Sequence, residues 1–186
     1  MNGLVTLLAL TKGCNLKSNM LIDSGNTEWY TPNDIIEAAR SAMGSIDLDP
    51  FSCEIANRAV KAGNFFSKDD DGFEKEWFGN VWCNHPFSRV NNRRIFEKAE
   101  QEFSKGRVAS ICMITFASTS EQWFVKSLKY PQCYIHGRTN YLDQRLNKIK
   151  GVTKGSVVTY IGNSVHKFYE SFKKIGTVKI AYSKGD

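Results

Sequence analysis

Val81-Trp82-Cys83-Asn84-His85-Pro86-Phe87 joins an apolar triplet to a polar turn. The triplet reads as a buried strand, and proline ends it because its ring fixes φ and removes the N–H that a ladder needs. A helical pattern comes next at residues 91–104, with Ile95, Phe96, Ala99 and Phe103 on one face and Gly106 at its end. Val108 to Phe116 is then a continuous apolar run, the pattern of an inner parallel strand covered on both faces. Upstream, Thr31, Pro32 and Asp34 mark a helix start, with Thr31 as the cap and Pro32 at the first helical position. Ile35, Ile36, Ala39, Ala42 and Met43 carry that helix to Gly44, and residues 46–49 read as a short strand closed by Pro50. Downstream, Ser118 or Ser120 is expected to cap a helix bearing Trp123, Phe124 and Leu128. Strands at 133–135, 157–161 and 178–182 surround a helix at 165–172, and residues 137–155 have no clean period. Strands alternating with helices predict a three-layer α/β fold with a mixed, mostly parallel sheet. In such sheets ligands gather at the carboxyl ends of strands, which directs attention to the residues just after Asp49, Cys83, Phe116 and Ile135.

The 186 residues suit a single domain. Lysine and arginine number 25 against 19 acidic residues, and a net charge of +6 suits a polyanionic partner. Five cysteines, an odd number without a Cys-x-x-Cys pair, argue for reduced thiols rather than a disulfide framework. The histidines (His85, His136, His166) stand apart, so no metal site is expected. The absence of a Gly-x-x-x-x-Gly-Lys loop argues against a P-loop nucleotide hydrolase. Residues 4–10 are apolar but far short of a membrane span and lack a basic flank. Residues 1–24 are therefore expected to be a poorly ordered leader, with Met20 as an alternative start, and residues 25–186 a single domain.

Several short motifs occur in a telling order. Asn84-His85-Pro86-Phe87 resembles the (Asn/Asp/Ser)-Pro-Pro-(Tyr/Phe/Trp) motif of amino-methyltransferases. Glu28-Trp29-Tyr30-Thr31-Pro32 resembles the Tyr-Thr-Pro segment that opens their cofactor-binding helix. Asp47-Leu48-Asp49-Pro50-Phe51-Ser52-Cys53 is similar to their Asp-Pro-Ala-Cys-Gly at the end of the first strand. Asp71-Gly72-Phe73 with Trp77, Thr119 with Trp123-Phe124, and Gly137-Arg138 continue the likeness. From Glu28 to Tyr182 the chain resembles the phage-type DNA N6-adenine methyltransferase (phage Dam) family. There are two departures: His85 stands where the motif has its first proline, and no glycine-rich loop comes after Asp49.

The resemblance implies a Rossmann-like class I S-adenosylmethionine-dependent methyltransferase fold, S-adenosylmethionine as cofactor, and double-stranded DNA as partner. An exocyclic amine is a poor nucleophile because its lone pair is delocalised into the ring. Acceptors for its two N–H groups favour a pyramidal amine aimed at the methyl group. The Asn84 side-chain oxygen is one acceptor, and the resemblance assigns the other to the carbonyl of His85. An imidazole that relays the amine proton is the alternative role for His85. Pro86 would fix the turn, and Phe87 would stack on a base extruded from the duplex. The cofactor site would draw on Tyr30, Thr31 and Pro32, on Asp49 rather than Asp47, on Pro50 and Ser52, and on Asp71. Phosphates would be met by Arg89, Arg93 and Arg94 after the motif, and by Arg138, Arg145, Lys148 and Lys150 in the irregular segment, where Tyr141 offers a stacking group. The family likeness also implies a phage- or prophage-borne enzyme in the bacterial cytoplasm, active in restriction evasion or DNA modification. Competing readings are methylation of cytosine N4 or a protein glutamine, and a catalytically silent relative that binds DNA or a host factor.

Overall fold

Pro32 adopts φ −57° and ψ 147°, so the chain stays extended there and α1 (Asn33–Met43) starts one residue later than the sequence pattern predicts. Thr31 consequently does not cap the helix; its Oγ1 is buried without a hydrogen-bond partner. Gly44, at φ 92°, ends α1 by donating its N–H to the Arg40 carbonyl. These features come from a computed structural model that describes residues 29–143, 145–149 and 152–181. The expected leader at 1–24, and Glu28, Lys150 and Tyr182, lie outside the described residues.

After α1 come β1 (Leu48–Asp49), α2 (Glu54–Val60), β2 (Asn64–Phe65), β3 (Gly79–Cys83), α3 (Arg89–Ser104) and β4 (Val108–Phe116). The second half adds α4 (Gln122–Ser127), β5 (Gln132–Ile135), β6 (Ser156–Gly162), α5 (Val165–Phe172) and β7 (Gly176–Lys179). Neither serine caps α4: Glu121 occupies that position, and the Ser118 carbonyl instead accepts the Glu121 N–H in the preceding turn.

The described strands form one sheet in the order β2-β1-β3-β4-β6-β5-β7. Half of its pairings are parallel (β1 with β2, β1 with β3, β3 with β4) and half antiparallel (β4 with β6, β5 with β6, β5 with β7). The expectation of a mostly parallel sheet is thus corrected to a mixed one, compatible with a Rossmann-like fold. The cause lies in the connection between β5 and β6. Its described residues contain no helix, and the chain turns back beside β5 instead of crossing over to the same edge. Two crossover units, β4-α4-β5 and β6-α5-β7, are thereby interleaved.

Alternation along the central strands builds two cores. Trp82, Cys112, Ile114, Cys133, Val158 and Tyr160 pack with α1 and α5 on one face. Val81, Cys83, Ile111, Met113, Val157 and Ile161 pack with α3 and α4 on the other. This double burial explains the unbroken apolar run of β4. α3 is also tied to the chain before β3. The Glu102 carboxylate, with no exposed side-chain surface, accepts the Trp77 N–H at 3.1 Å and contacts Lys98 at 3.0 Å, Lys105 at 2.8 Å and Arg107 at 3.4 Å. Burial pushes its pKa upward, but the bonds from Lys105, the Trp77 N–H and Lys98 prevail and hold it at about 2.

Glu102→Gln should therefore cost about 2 kcal/mol of stability at neutral pH, read by chemical denaturation. A group with a depressed folded pKa stabilises above its unfolded value. Glu102's contribution should be intact above the ordinary glutamate range and vanish as pH falls toward 2, so the two proteins should converge in acid.

Candidate active site

β1, β3 and β4 run parallel, so their carboxyl ends share one edge of the sheet. There a cavity of about 340 Å³ opens, within the range of small-molecule sites. Residues after β1 (Phe51, Ser52, Cys53) and after β3 (Asn84, His85, Pro86) form adjoining walls. Ser67, Lys68, Asp71, Gly72 and Phe73 form another, while Trp29 and Tyr30 approach from before α1 and Asn91 and Arg94 from α3.

The wall at Gly72 depends on having no side chain. A Cβ there would collide with the Pro50 carbonyl and meet the Phe51 ring. The Gly72 carbonyl accepts the buried Trp77 indole N–H at 2.9 Å. Phe73 packs 4.6 Å from Phe51, centroid to centroid, and the Arg94 guanidinium lies 4.3 Å over Phe73 while pairing with Glu74 at 3.1 Å. Asp71 faces the cavity from the solvent side, its Oδ1 accepting the Phe73 N–H at 3.1 Å.

At the motif itself, Asn84 donates its amide N–H to the Trp29 carbonyl. This fixes the amide with its oxygen as the remaining acceptor, and that oxygen has no partner among the described residues. The Trp29 backbone is held in turn, because Tyr30 and Leu142 exchange backbone hydrogen bonds at 2.9 Å. Pro86 accepts a hydrogen bond from the Asn91 side chain at 3.1 Å. His85 is 1% exposed, with Nε2 2.8 Å from Asn92 Oδ1 and Nδ1 buried without a partner. Burial drives its pKa down to about 4, only partly offset by the Asn92 bond. The ring is therefore held in its neutral form at neutral pH. Phe87 does not line the cavity. It packs in an aromatic cluster, 4.6 Å from Phe116, 6.0 Å from Tyr141 and 6.3 Å from Trp29.

The proposed cofactor residues divide. Tyr30, Ser52 and Asp71 reach the cavity, and the Tyr30 hydroxyl lies 3.3 Å from Cys53 Sγ. Thr31, Pro32 and Pro50 do not line it. Asp47 is a structural residue at the other end of β1, where it accepts the Asn80 N–H at 2.8 Å and the Ser45 hydroxyl at 2.9 Å. Asp49 is buried behind the Phe51–Ser52 wall and accepts the Phe51 N–H at 3.1 Å. Burial raises its pKa to about 7, against the lowering influence of Phe51 and Ser52. Ser52 Oγ nevertheless makes no hydrogen bond of acceptable geometry and stays unsatisfied in the cavity wall.

Among the proposed DNA contacts, Arg89, Arg138, Arg145 and Lys148 are exposed, as is Arg93, which pairs with Glu97 at 3.6 Å. Arg94 belongs to the cavity rim. Tyr141 is a correction: it is 0% exposed, bonded to Ser156 Oγ at 3.0 Å, and belongs to the core. The segment around it is also more ordered than its sequence suggests. Leu142 bridges Lys148, and the Asp143 carboxylate accepts the N–H groups of Arg145 and Asn147 at 2.8 and 2.9 Å.

Sequence reasoning missed Lys68, Ser67, Asn91 and Asn92. Ser88 was the available signal for the asparagines: it caps α3, accepting the Asn91 N–H at 3.1 Å, and so sets the first turn of the helix against the motif. Among the described residues no three His, Cys, Asp or Glu side chains gather as a metal-binding group, and no helix is long and apolar enough to cross a membrane.

Fold and cavity together describe an α/β protein with a cavity of small-molecule size at its strand ends and the Asn84 amide in the wall. A family model described as DNA N-6-adenine-methyltransferase (Dam) matches residues 17–180. The chain belongs to this family, which supports DNA adenine methyltransferase activity. No curated protein matches the chain.

Asp49 offers a test of the burial behind this wall. A group with a raised folded pKa stabilises below its unfolded value, and that contribution is lost as pH rises through the folded one. Stability should thus fall between pH 4 and 7 by up to about 1.4 kcal/mol per pH unit through this group. Asp49→Asn should abolish that slope in denaturation curves measured at pH 5 and 7.5.

Proposed function

We propose that this protein is an S-adenosylmethionine-dependent DNA methyltransferase that modifies adenine N6, with a class I methyltransferase architecture. The observation that carries the reading is the Asn84 amide, whose oxygen is left as an acceptor at the cavity wall by the bond to the Trp29 carbonyl. It accepts an N–H of the target amine and, with the His85 carbonyl, aligns the nitrogen lone pair.

The cavity suits the cofactor. Lys68 and Arg94 can meet a carboxylate, Asp71 an ammonium or hydroxyl, and the unsatisfied Ser52 hydroxyl needs a polar partner. Phe51, Phe73 and Tyr30 supply surface for a purine ring. When bound, S-adenosylmethionine supplies a methyl group on an electrophilic sulfonium. The chain orients the acceptor amine and spreads the positive charge that develops on it.

Adenine must leave the duplex to reach this depth, at a cost of a few kcal/mol. Trp29 offers the aromatic wall on the motif side, while Phe87 buttresses it from the cluster behind. Arg89 and Arg93 at the start of α3, and Arg138, Arg145 and Lys148 beyond β5, are the groups that neutralise flanking phosphates. Site-specific action, a phage or prophage origin, the bacterial cytoplasm as location, and a role in restriction evasion or DNA modification complete the reading. These rest on the family resemblance.

The test is transfer of labelled methyl from S-adenosylmethionine to duplex DNA, with nucleoside digestion of the product. The wild type should yield N6-methyladenine, and Asn84→Ala should lose at least about 100-fold in kcat while still binding the cofactor. Cofactor binding without transfer by the wild type would instead favour a catalytically silent relative. Label on cytosine N4 would move the substrate to the other base.

A further inference from the structure

The Asn84-His85-Pro86-Phe87 turn is held by the next helix in the chain, α3. Asn91 donates its amide to the Pro86 carbonyl at 3.1 Å, and the Asn92 N–H bonds the Ser88 carbonyl at 2.9 Å. Beside them, Asn92 Oδ1 meets His85 Nε2 at 2.8 Å. With that oxygen facing the ring, Nε2 carries the hydrogen and Nδ1 is left bare and buried. Phe51 and Phe87 flank the imidazole, at centroid distances of 6.4 and 5.5 Å. A ring packed only for its bulk would not need a polar nitrogen, since an unpartnered one is unfavourable in such surroundings. The Asn92 bond is the one specific polar tie between this side chain and the rest of the described structure.

The tie matters because of the backbone it controls. The related motif has proline at this position, and a proline ring fixes φ by itself. Histidine leaves φ free, yet the His85 carbonyl must still point at the reacting amine. Anchoring the side chain restores what the backbone lacks. We propose that Asn92 is a positioning residue for methyl transfer, which through His85 pins the motif turn to α3 and takes over the part a proline ring plays in related motifs. The proposal rests on the methyltransferase reading of the site.

The test is a double-mutant cycle in methyl-transfer kinetics. Asn92→Ala should lower kcat by about 100-fold with little change in cofactor KM. In a His85→Pro background, where the ring fixes φ directly, the same substitution should have almost no effect. Asn92→Asp, which keeps the acceptor oxygen, should restore transfer at pH 7.5. An equal loss in both backgrounds would overturn the proposal, as would a rise in KM alone. Should His85→Pro fail to fold, the Asp variant decides: no rescue overturns the proposal.

An inactive wild type would count against the enzyme reading, and the anchor would then be judged by ¹⁵N NMR of the imidazole. The Nε2–H tautomer in the wild type, lost in Asn92→Ala, supports the anchor. An Nδ1–H tautomer in the wild type overturns it.

Discussion

Asn84 donates its amide hydrogen to the Trp29 carbonyl, and that bond orders the two ends of an otherwise symmetric-looking group. Reversed, the amide would present donors to the cavity and repel an incoming amine. The order holds only while the Trp29 backbone stays in place. Paired backbone bonds between Tyr30 and Leu142 keep it there, so residues far apart in the chain meet at one side-chain amide. The aromatic cluster of Trp29, Phe87, Phe116 and Tyr141 fills the space behind this junction. Its rings support the junction at a site where the motif alone would suggest base stacking.

Two anchors of different chemistry hold two of the walls. Glu102 gathers the Trp77 N–H and three cations, fixing α3 against the chain that leads into β3. Trp77 then bonds the Gly72 carbonyl, and Gly72 presses against Pro50 too closely for any side chain. A buried carboxylate on α3 thus sets the position of the cavity wall that Asp71 and Phe73 share. At the second wall, Asn91 and Asn92 bind the motif turn to the same helix. α3 therefore holds both walls.

Much of this was legible in the sequence where one period dominates. β4 and α5 were readable to the residue, β4 because its apolar run is long and covered on both faces, α5 because Phe168 and Phe172 recur one turn apart on its buried face. The motif and the cavity edge were readable from the order of Asp49, Asn84 and their flanks. Sheet direction was not legible. The reversal between β5 and β6 depends on how an aperiodic connection packs, and no local pattern encodes that. Tyr141 was misread for a related reason: its core role depends on Ser156 and Trp29, both distant in sequence. Position along the strand favoured Asp49 over Asp47 for the cofactor, but it did not show that Asp49 would be buried away from the cavity lining. The structure separates them by placing Asp47 at the amino end of β1 among polar partners and Asp49 behind the cavity.

The account stands on the cavity at the strand ends being the place where methyl transfer occurs. A crystal structure with the demethylated product, S-adenosylhomocysteine, and a short adenine-containing duplex tests this most directly. The account predicts the product in the cavity against Phe51 and Phe73, its thioether turned toward Asn84, with an extruded adenine whose N6 bonds the Asn84 oxygen and the His85 carbonyl. A product bound elsewhere, or an Asn84 amide that presents its nitrogen to the base, would contradict it.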